Sequence, residues 1–159
     1  MNIAVTAAVF SDSHGSVALM REKIRQLRPD VVIHLGDYER DADALRADFP
    51  DVAFYNVRGN CDIGGLAPDR DTVPLGSVKA FITHGHLYNV KYGRLDSLVY
   101  AAQEQGAALA LFGHTHTPDY EEMGGVKLIN PGAASGRAPT WAKIEVYDNG
   151  GVACSIEKL

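Results

Sequence analysis

Five short apolar runs recur along the chain, and each stops on a residue able to hold a metal ion. Val5 to Phe10 leads to Asp12 and His14, and Val31 to Leu35 leads through Gly36 to Asp37. Phe54 to Val57 leads to Asn60, Val78 to Thr83 leads to His84, and Ala107 to Phe112 leads to His114 and His116. Runs of this length, rich in Val, Ile and Phe, read as buried strands. Between the first two, Ser16 is placed to cap a helix whose apolar residues Val17, Met20, Ile24 and Leu27 follow helical spacing up to Arg28-Pro29. A shorter helix around Ala42, Leu45 and Phe49 is closed by Pro50, and a third is predicted from Tyr92 to Gln105 with Gly106 as its stop. Residues 63–76, rich in Gly, Pro and Asp, read as a loop beside the strand ends.

The pattern changes in the last third. Val126 to Ile129 is a short strand ending in Asn130-Pro131-Gly132. Trp141 to Tyr147 and Val152 to Ile156 alternate in polarity and are joined through Asp148-Asn149-Gly150-Gly151, a hairpin signal. Strands alternating with helices, followed by antiparallel strands, predict two sheets packed face to face with helices outside.

Composition narrows the function. At 159 residues the chain has the length of one domain, read as spanning 1–159, and it buries about 70% of the surface that its unfolded form would expose. A formal net charge of -5 argues against sequence-independent binding of long nucleic acid, which relies on basic patches. Two cysteines, Cys61 and Cys154, are too few for a disulfide framework and point to a reducing compartment, so a cytoplasmic location is expected. Ile3 to Phe10 lacks a basic leader and reads as a first strand, not a signal peptide, and no apolar run is long enough to cross a membrane.

The chemistry lies in the residues that end the strands. In α/β sheets ligands bind outside the carboxyl ends of the strands, so Asp12, His14, Asp37, Asn60, His84, His114 and His116 are expected at one edge. Asp12-Ser13-His14 and His114-Thr115-His116 each place two donors at i and i+2. In an extended segment these share a side. Asp37, with two oxygens, can bridge two ions. Mixed oxygen and nitrogen donors without a plausible thiolate suit Mn, Fe, Co, Ni or Zn. His34, inside its strand, reads as a packed structural residue. Asp41, Asp43 and Asp48 read as a solvated helix face.

With these residues in order, the chain resembles the calcineurin-like metallophosphoesterases, and within them the small prokaryotic phosphodiesterases. The resemblance rests on Asp12-Ser13-His14, Gly36-Asp37, Gly59-Asn60-Cys61-Asp62, His84-Gly85-His86 and Gly113-His114-Thr115-His116. It implies a four-layer αββα sandwich with two mixed β-sheets. It also implies one ion on Asp12, His14 and His116 and a second on Asn60, His84 and His114, with Asp37 between them. Manganese is the expected metal. The implied activity is hydrolysis of small phosphodiesters or cyclic nucleotides by a bridging hydroxide. Two ions roughly 3.5 to 4 Å apart would generate it and clamp the phosphoryl group.

Asp37, Asn60 and His86 are the catalytic candidates, and Asn130 and Arg137 the substrate contacts, the latter because guanidinium suits phosphate oxygens. Asn130-Pro131-Gly132-Ala133 is similar to a family Asn-Pro-Gly-Ser turn, with Ala133 in place of the serine. Many members of the wider family carry His after the metal-binding Asn. Cys61 stands there in this chain, which leaves protonation of the leaving group without an assigned donor. A phosphomonoesterase, and a partner-binding scaffold of the same fold like the trafficking-coat subunits, are the alternatives.

Overall fold

The computed structural model describes residues 2–159. In chain order the elements are β1 Ile3–Phe10, α1 Ala18–Leu27, β2 Val31–His34, α2 Glu39–Asp48, β3 Ala53–Asn56, β4 Arg70–Leu75, β5 Val78–Thr83, α3 Asp96–Glu104, β6 Leu109–Leu111, β7 Asp119–Met123, β8 Val126–Asn130, β9 Thr140–Tyr147 and β10 Val152–Lys158. They form two mixed five-stranded sheets, ordered β10-β9-β1-β2-β3 and β4-β5-β6-β8-β7.

The period of two along β1 explains the layering. Ala7 and Val9 face the second sheet in a core that includes Ile33, Leu35, Ile82, Leu111, Ile129 and Ile144. Ala8 and Phe10 face the other way, against Met20 and Ile24 of α1, Leu45 of α2 and Trp141. On the far side of the second sheet, Phe81, Ala110 and Leu128 pack on Leu98, Val99 and Ala102 of α3. The order helix, sheet, sheet, helix is the expected four-layer αββα sandwich. Burying one face of every central strand against the other sheet fixes register, because a slip of one residue would turn each apolar set outwards.

Several boundaries differ from the sequence pattern. Ser16 is not the cap of α1: the helix begins after Val17 without a side-chain cap, and Arg28 closes it in a left-handed conformation at φ 50°. The helix expected from Tyr92 starts at Asp96, because Asn89 and Gly93 break the preceding stretch into two 3₁₀ turns, His86–Tyr88 and Val90–Tyr92. The expected loop 63–76 contains β4, an edge strand antiparallel to β5. Its Pro74 is tolerated because an edge strand has one unpaired side. The other edge of that sheet is β7, whose five residues offer little apolar pattern. The hairpin β9–β10 forms as expected, with the Tyr147 N–H donating to the Gly151 carbonyl at 2.8 Å.

Candidate metal centre

Loops at the carboxyl ends of β1, β2, β3, β5 and β6 meet at one edge of the sandwich, and backbone hydrogen bonds stitch them together. The Asp12 N–H donates to the Gly36 carbonyl (2.9 Å), the His14 N–H to that of Asp37 (3.1 Å), and the Gly113 N–H to that of His84 (2.8 Å). Gly59 and Gly113 have no alternative here: a Cβ at Gly59 would collide with the Asp37 carboxylate and one at Gly113 with Ser11 and Asp12.

Asp12 and His14 converge, and His116 with them, but not by strand alternation as the spacing suggested. Asp12 and His14 have φ of 54° and 44°, and His114 and His116 have φ of 71° and 64°. Asp37, at 49°, makes five donor residues in the left-handed region, each a backbone state costing a non-glycine residue about 1 kcal/mol or more. The turns persist because their hydrogen bonds over-determine them.

The donor atoms face one another. The His116 Nε2 lies 3.2 Å from Asp12 Oδ1, the His84 Nε2 3.7 Å from the same oxygen and 3.4 Å from Asp37 Oδ2, and the His14 Nε2 3.8 and 3.9 Å from those two oxygens. Asp12 Oδ1, His14 Nε2, His84 Nε2 and His86 Nδ1 are buried and have no hydrogen-bond partner. Leaving a buried polar atom unpaired is costly, so converging orphan atoms of ligand type fit a bound cation. Ligands held at about 2.0–2.2 Å from one transition-metal ion stand roughly 3–3.5 Å apart, which the closer separations match.

The remaining atoms of these side chains are committed to orientation. Asp12 Oδ2 accepts from the Ser11 hydroxyl (2.6 Å) and the His114 N–H (3.0 Å), which leaves Oδ1 for the ion. Asp37 Oδ1 accepts from the Cys61 N–H (2.9 Å), which leaves Oδ2 between His14 and His84. The His84 Nδ1 lies 2.7 Å from the Leu35 carbonyl and must carry a hydrogen to bond it, so Nε2 supplies the lone pair.

Protonation follows from these contacts. Burial opposes charge on Asp37, but the His84 ring and the Cys61 N–H hold its carboxyl well below the usual range. Burial likewise opposes charge on His84, yet the close approach of the Asp37 carboxylate and the charge of Asp12 raise it above the ordinary histidine value. His86 and His114 are lowered by burial and by the neighbouring His84.

The predicted ligands do not all converge equally. Asp12, His14 and His116 form one cluster and Asp12, Asp37 and His84 another. The His114 ring lies 5.1 Å from that of His84 and 6.1 Å from that of His86. Asn60 is exposed, with its amide 3.6 Å from the Cys61 sulfur, and shares an open cleft with His86. Arg137 is exposed. Asn130 is buried and fully used: its amide nitrogen donates to the Gly113 carbonyl (3.2 Å) and the Thr115 hydroxyl (2.9 Å), and its Oδ1 accepts from the Gly132 N–H (2.9 Å). Its polar atoms are thus committed to the loop that carries His114 and His116. Beyond Ala133, the hydroxyl of Ser135 donates to the Asp12 carbonyl at 2.7 Å. The thiol of Cys61 is raised by partial burial and by Asp37, so it stays protonated at neutral pH, and it joins neither donor cluster.

Two acids were missed. Asp41 is not on a solvated face: at 3% exposure it accepts from the Ser13 hydroxyl (2.6 Å) and the Gly15 N–H (2.7 Å). Ser13 in turn lies 2.8 Å from the His34 Nε2, and the Gly36 N–H donates to the His34 Nδ1. His34 is thus a neutral, buried link beneath the Asp12–His14 turn, and burial lowers its pKa to about 4. Asp43 and Asp48 are exposed, as expected. Asp62 accepts from the N–H groups of Asp37 (3.0 Å), Glu39 (2.8 Å) and Gly59 (2.9 Å), which ties the β2 and β3 loops together. The acid three residues after Gly59 was the available signal.

Comparison with known proteins agrees with this geometry. Residues 5–148 match the model of the calcineurin-like phosphoesterase superfamily domain. The chain is 36% identical over 142 residues to the probable metallophosphoesterase YsnB of Bacillus subtilis, covering 87% of this chain and 79% of that protein. It is 28% identical over 145 residues to the phosphodiesterase MJ0936 of Methanocaldococcus jannaschii, covering 80% and 83%. A crystal structure of a predicted phosphoesterase from Streptococcus pneumoniae superposes with a TM-score of 0.77 at 30% identity, over 98% of both chains. Vps29 of Entamoeba histolytica complexed with zinc shares the fold at 19% identity and a TM-score of 0.72, over 96% of this chain and 98% of that one. With its donor set assembled at the strand ends and the family match spanning both sheets, the chain belongs to the calcineurin-like phosphoesterase superfamily.

Proposed function

We propose that this phosphoesterase is a phosphodiesterase that cleaves small phosphodiesters or cyclic nucleotides with two divalent transition-metal ions, manganese first among them. The observation that carries the reading is the set of buried, unpaired donor atoms on Asp12, His14 and His84 around the carboxylates of Asp12 and Asp37. Asp12, His14 and His116 would hold one ion, and His84, His114 and Asn60 the other, with Asp37 between them. When bound, such a pair polarises phosphoryl oxygens and lowers the pKa of water. The chain's own residues supply the rest. Ser11 and the His114 N–H fix the Asp12 carboxylate, the Leu35 carbonyl sets the His84 tautomer, and the Cys61 N–H orients Asp37. His86, neutral and half-buried beside His84, is placed to meet the substrate from the Asn60 side.

The diester preference is supported by the similarity to the archaeal phosphodiesterase MJ0936 and by Cys61 standing where the wider family carries histidine. A partner-binding scaffold has no need of buried, unpaired donors held in place by oriented carboxylates, which speaks for the enzyme. The test is a hydrolysis screen of manganese-reconstituted protein against diesters, cyclic nucleotides and monoesters. Turnover of diesters well above monoesters is expected. Metal-dependent turnover of monoesters alone would replace the diester reading, and no metal uptake would favour the scaffold. No helix among the described residues is long and apolar enough to cross a membrane. We place the protein in the cytoplasm with a small-molecule substrate as its partner.

A further inference from the structure

We infer that a cavity of about 500 Å³ beside the metal centre is a subsite for an aromatic ester group that carries a further negative charge, an inference that rests on the phosphoesterase reading above. The cavity is lined by Tyr38, Arg40, Cys61, Ile63 and Leu66, among others. It adjoins the donors on two sides: the Tyr38 ring packs edge-on against the His14 ring at 5.1 Å, and the Cys61 N–H holds Asp37. A substituent of a phosphoryl group held at the donors therefore has this space next to it.

Its wall is built and not a frayed loop. Glu39 Oε1 accepts from the N–H groups of Leu66 and Ala67 at 3.0 Å each, and the Arg58 Nη1 donates to the Gly65 carbonyl at 3.3 Å. Both oxygens of Asp62 are taken by backbone N–H groups. Gly65 packs so closely on Glu39 that a Cβ would collide with it. This braced turn holds Ile63 and Leu66 each 96% exposed, the most exposed large apolar side chains among the described residues. Two exposed apolar side chains on a braced turn beside a cavity offer an apolar contact that a ring can cover.

The charge requirement comes from Arg40. Its guanidinium stacks on Tyr38, 4.7 Å from the ring centroid, and makes no ion pair among the described residues. Of the acids that line the cavity with it, Glu39 turns its Oε1 to the N–H groups of Leu66 and Ala67, Asp62 is held by backbone N–H groups, and Asp43 pairs with Arg46 at 3.4 Å. Arg40 is therefore available to an anion beyond the scissile phosphate, as an aryl carboxylate or a second phosphate of a nucleotide would provide.

The test uses non-hydrolysable probes and a binding readout. Methylphosphonate, phenylphosphonate and 4-carboxyphenylphosphonate are titrated calorimetrically into manganese-loaded protein. The phenyl probe should bind at least tenfold tighter than the methyl probe, and the carboxyl group should add about threefold or more. The double variant Ile63→Ser/Leu66→Ser should erase the first increment and Arg40→Gln the second, while methylphosphonate affinity stays unchanged in both. All three side chains are exposed, so the variants fold. Equal affinity for the three probes, or variants that leave the ratios intact, would overturn the subsite alone. Failure of all three to bind would overturn the phosphoesterase reading and the subsite with it.

Discussion

Replacing Ser13 by alanine tests whether the buried link beneath the metal turn matters to metal binding. The substitution removes one hydroxyl that meets the His34 Nε2 at 2.8 Å and Asp41 Oδ2 at 2.6 Å, in a site where the three residues are 0%, 0% and 3% exposed. The Nδ1 of His34 already accepts from the Gly36 N–H, so its Nε2 carries the hydrogen and is left without an acceptor, and Asp41 Oδ2 keeps only the Gly15 N–H. An unsatisfied buried donor together with a weakened bond to a carboxylate costs about 2–4 kcal/mol. In a domain of this size that lowers Tm by roughly 5–15 °C. The same loss slackens the turn that holds Asp12 and His14 in left-handed conformations, and groups that orient metal ligands typically contribute 10–100-fold in affinity. Denaturant unfolding of the metal-free variant gives the first quantity and calorimetric manganese titration the second. If Ser13→Ala unfolds more easily but binds manganese within twofold of the parent, the link serves stability only and the positioning argument is wrong.

Elemental analysis of reconstituted protein should approach two ions per chain, and Asp37→Ala should abolish turnover in a folded chain; full activity at one ion would refute the shared-carboxylate arrangement. Because the raised pKa of His84 must be overcome for its Nε2 to bind an ion, manganese affinity should rise with pH and level off only above the ordinary histidine range, with proton release visible as a dependence of binding heat on buffer. His34 has the opposite sign: its folded pKa of about 4 lies below the unfolded value of 6.5. It therefore adds stability above pH 6.5 that is lost as pH falls towards 4, about 3 kcal/mol in all, and His34→Gln should flatten that part of the stability profile. With no histidine at position 61, kcat should depend steeply on leaving-group pKa, and Cys61→His should flatten the slope by restoring a donor; a shallow slope in the parent, with chemistry rate-limiting, would mean another group already donates the proton.

The donors were legible because each interrupts or ends an apolar run, a place where a polar residue is conspicuous. The layers were legible from the alternation that gives β1 and β2 two buried faces. Asp41 was not, because it sits among Asp43 and Asp48 on a short acidic helix. Side chains in a first helical turn point back towards the N-terminus, and here that direction leads under the Asp12–His14 turn. Asn130 shows a related limit: strand-end position marks proximity to the site but not whether the amide is free. β4 and β7 escaped because an edge strand needs only half of an apolar pattern. The left-handed backbone of the donor turns has only a weak signal in residue type: aspartate and histidine adopt it more often than other non-glycine residues, but most of them do not, and here surrounding bonds hold them there.

The strand order has a consequence for how the protein comes into being. β1, which delivers Asp12 and His14, is paired on one side with β2 and on the other with β9, at Ala7 opposite Ile144. The second sheet, by contrast, is contained within residues 70–130. As the chain leaves the ribosome, His84, His114 and His116 can be set on a finished sheet while β1 still has an open edge awaiting residues 140–147. The half of the ion pocket made first in synthesis is thus the last to be locked. The donors at this edge are therefore complete only once residues 140–147 have paired with β1.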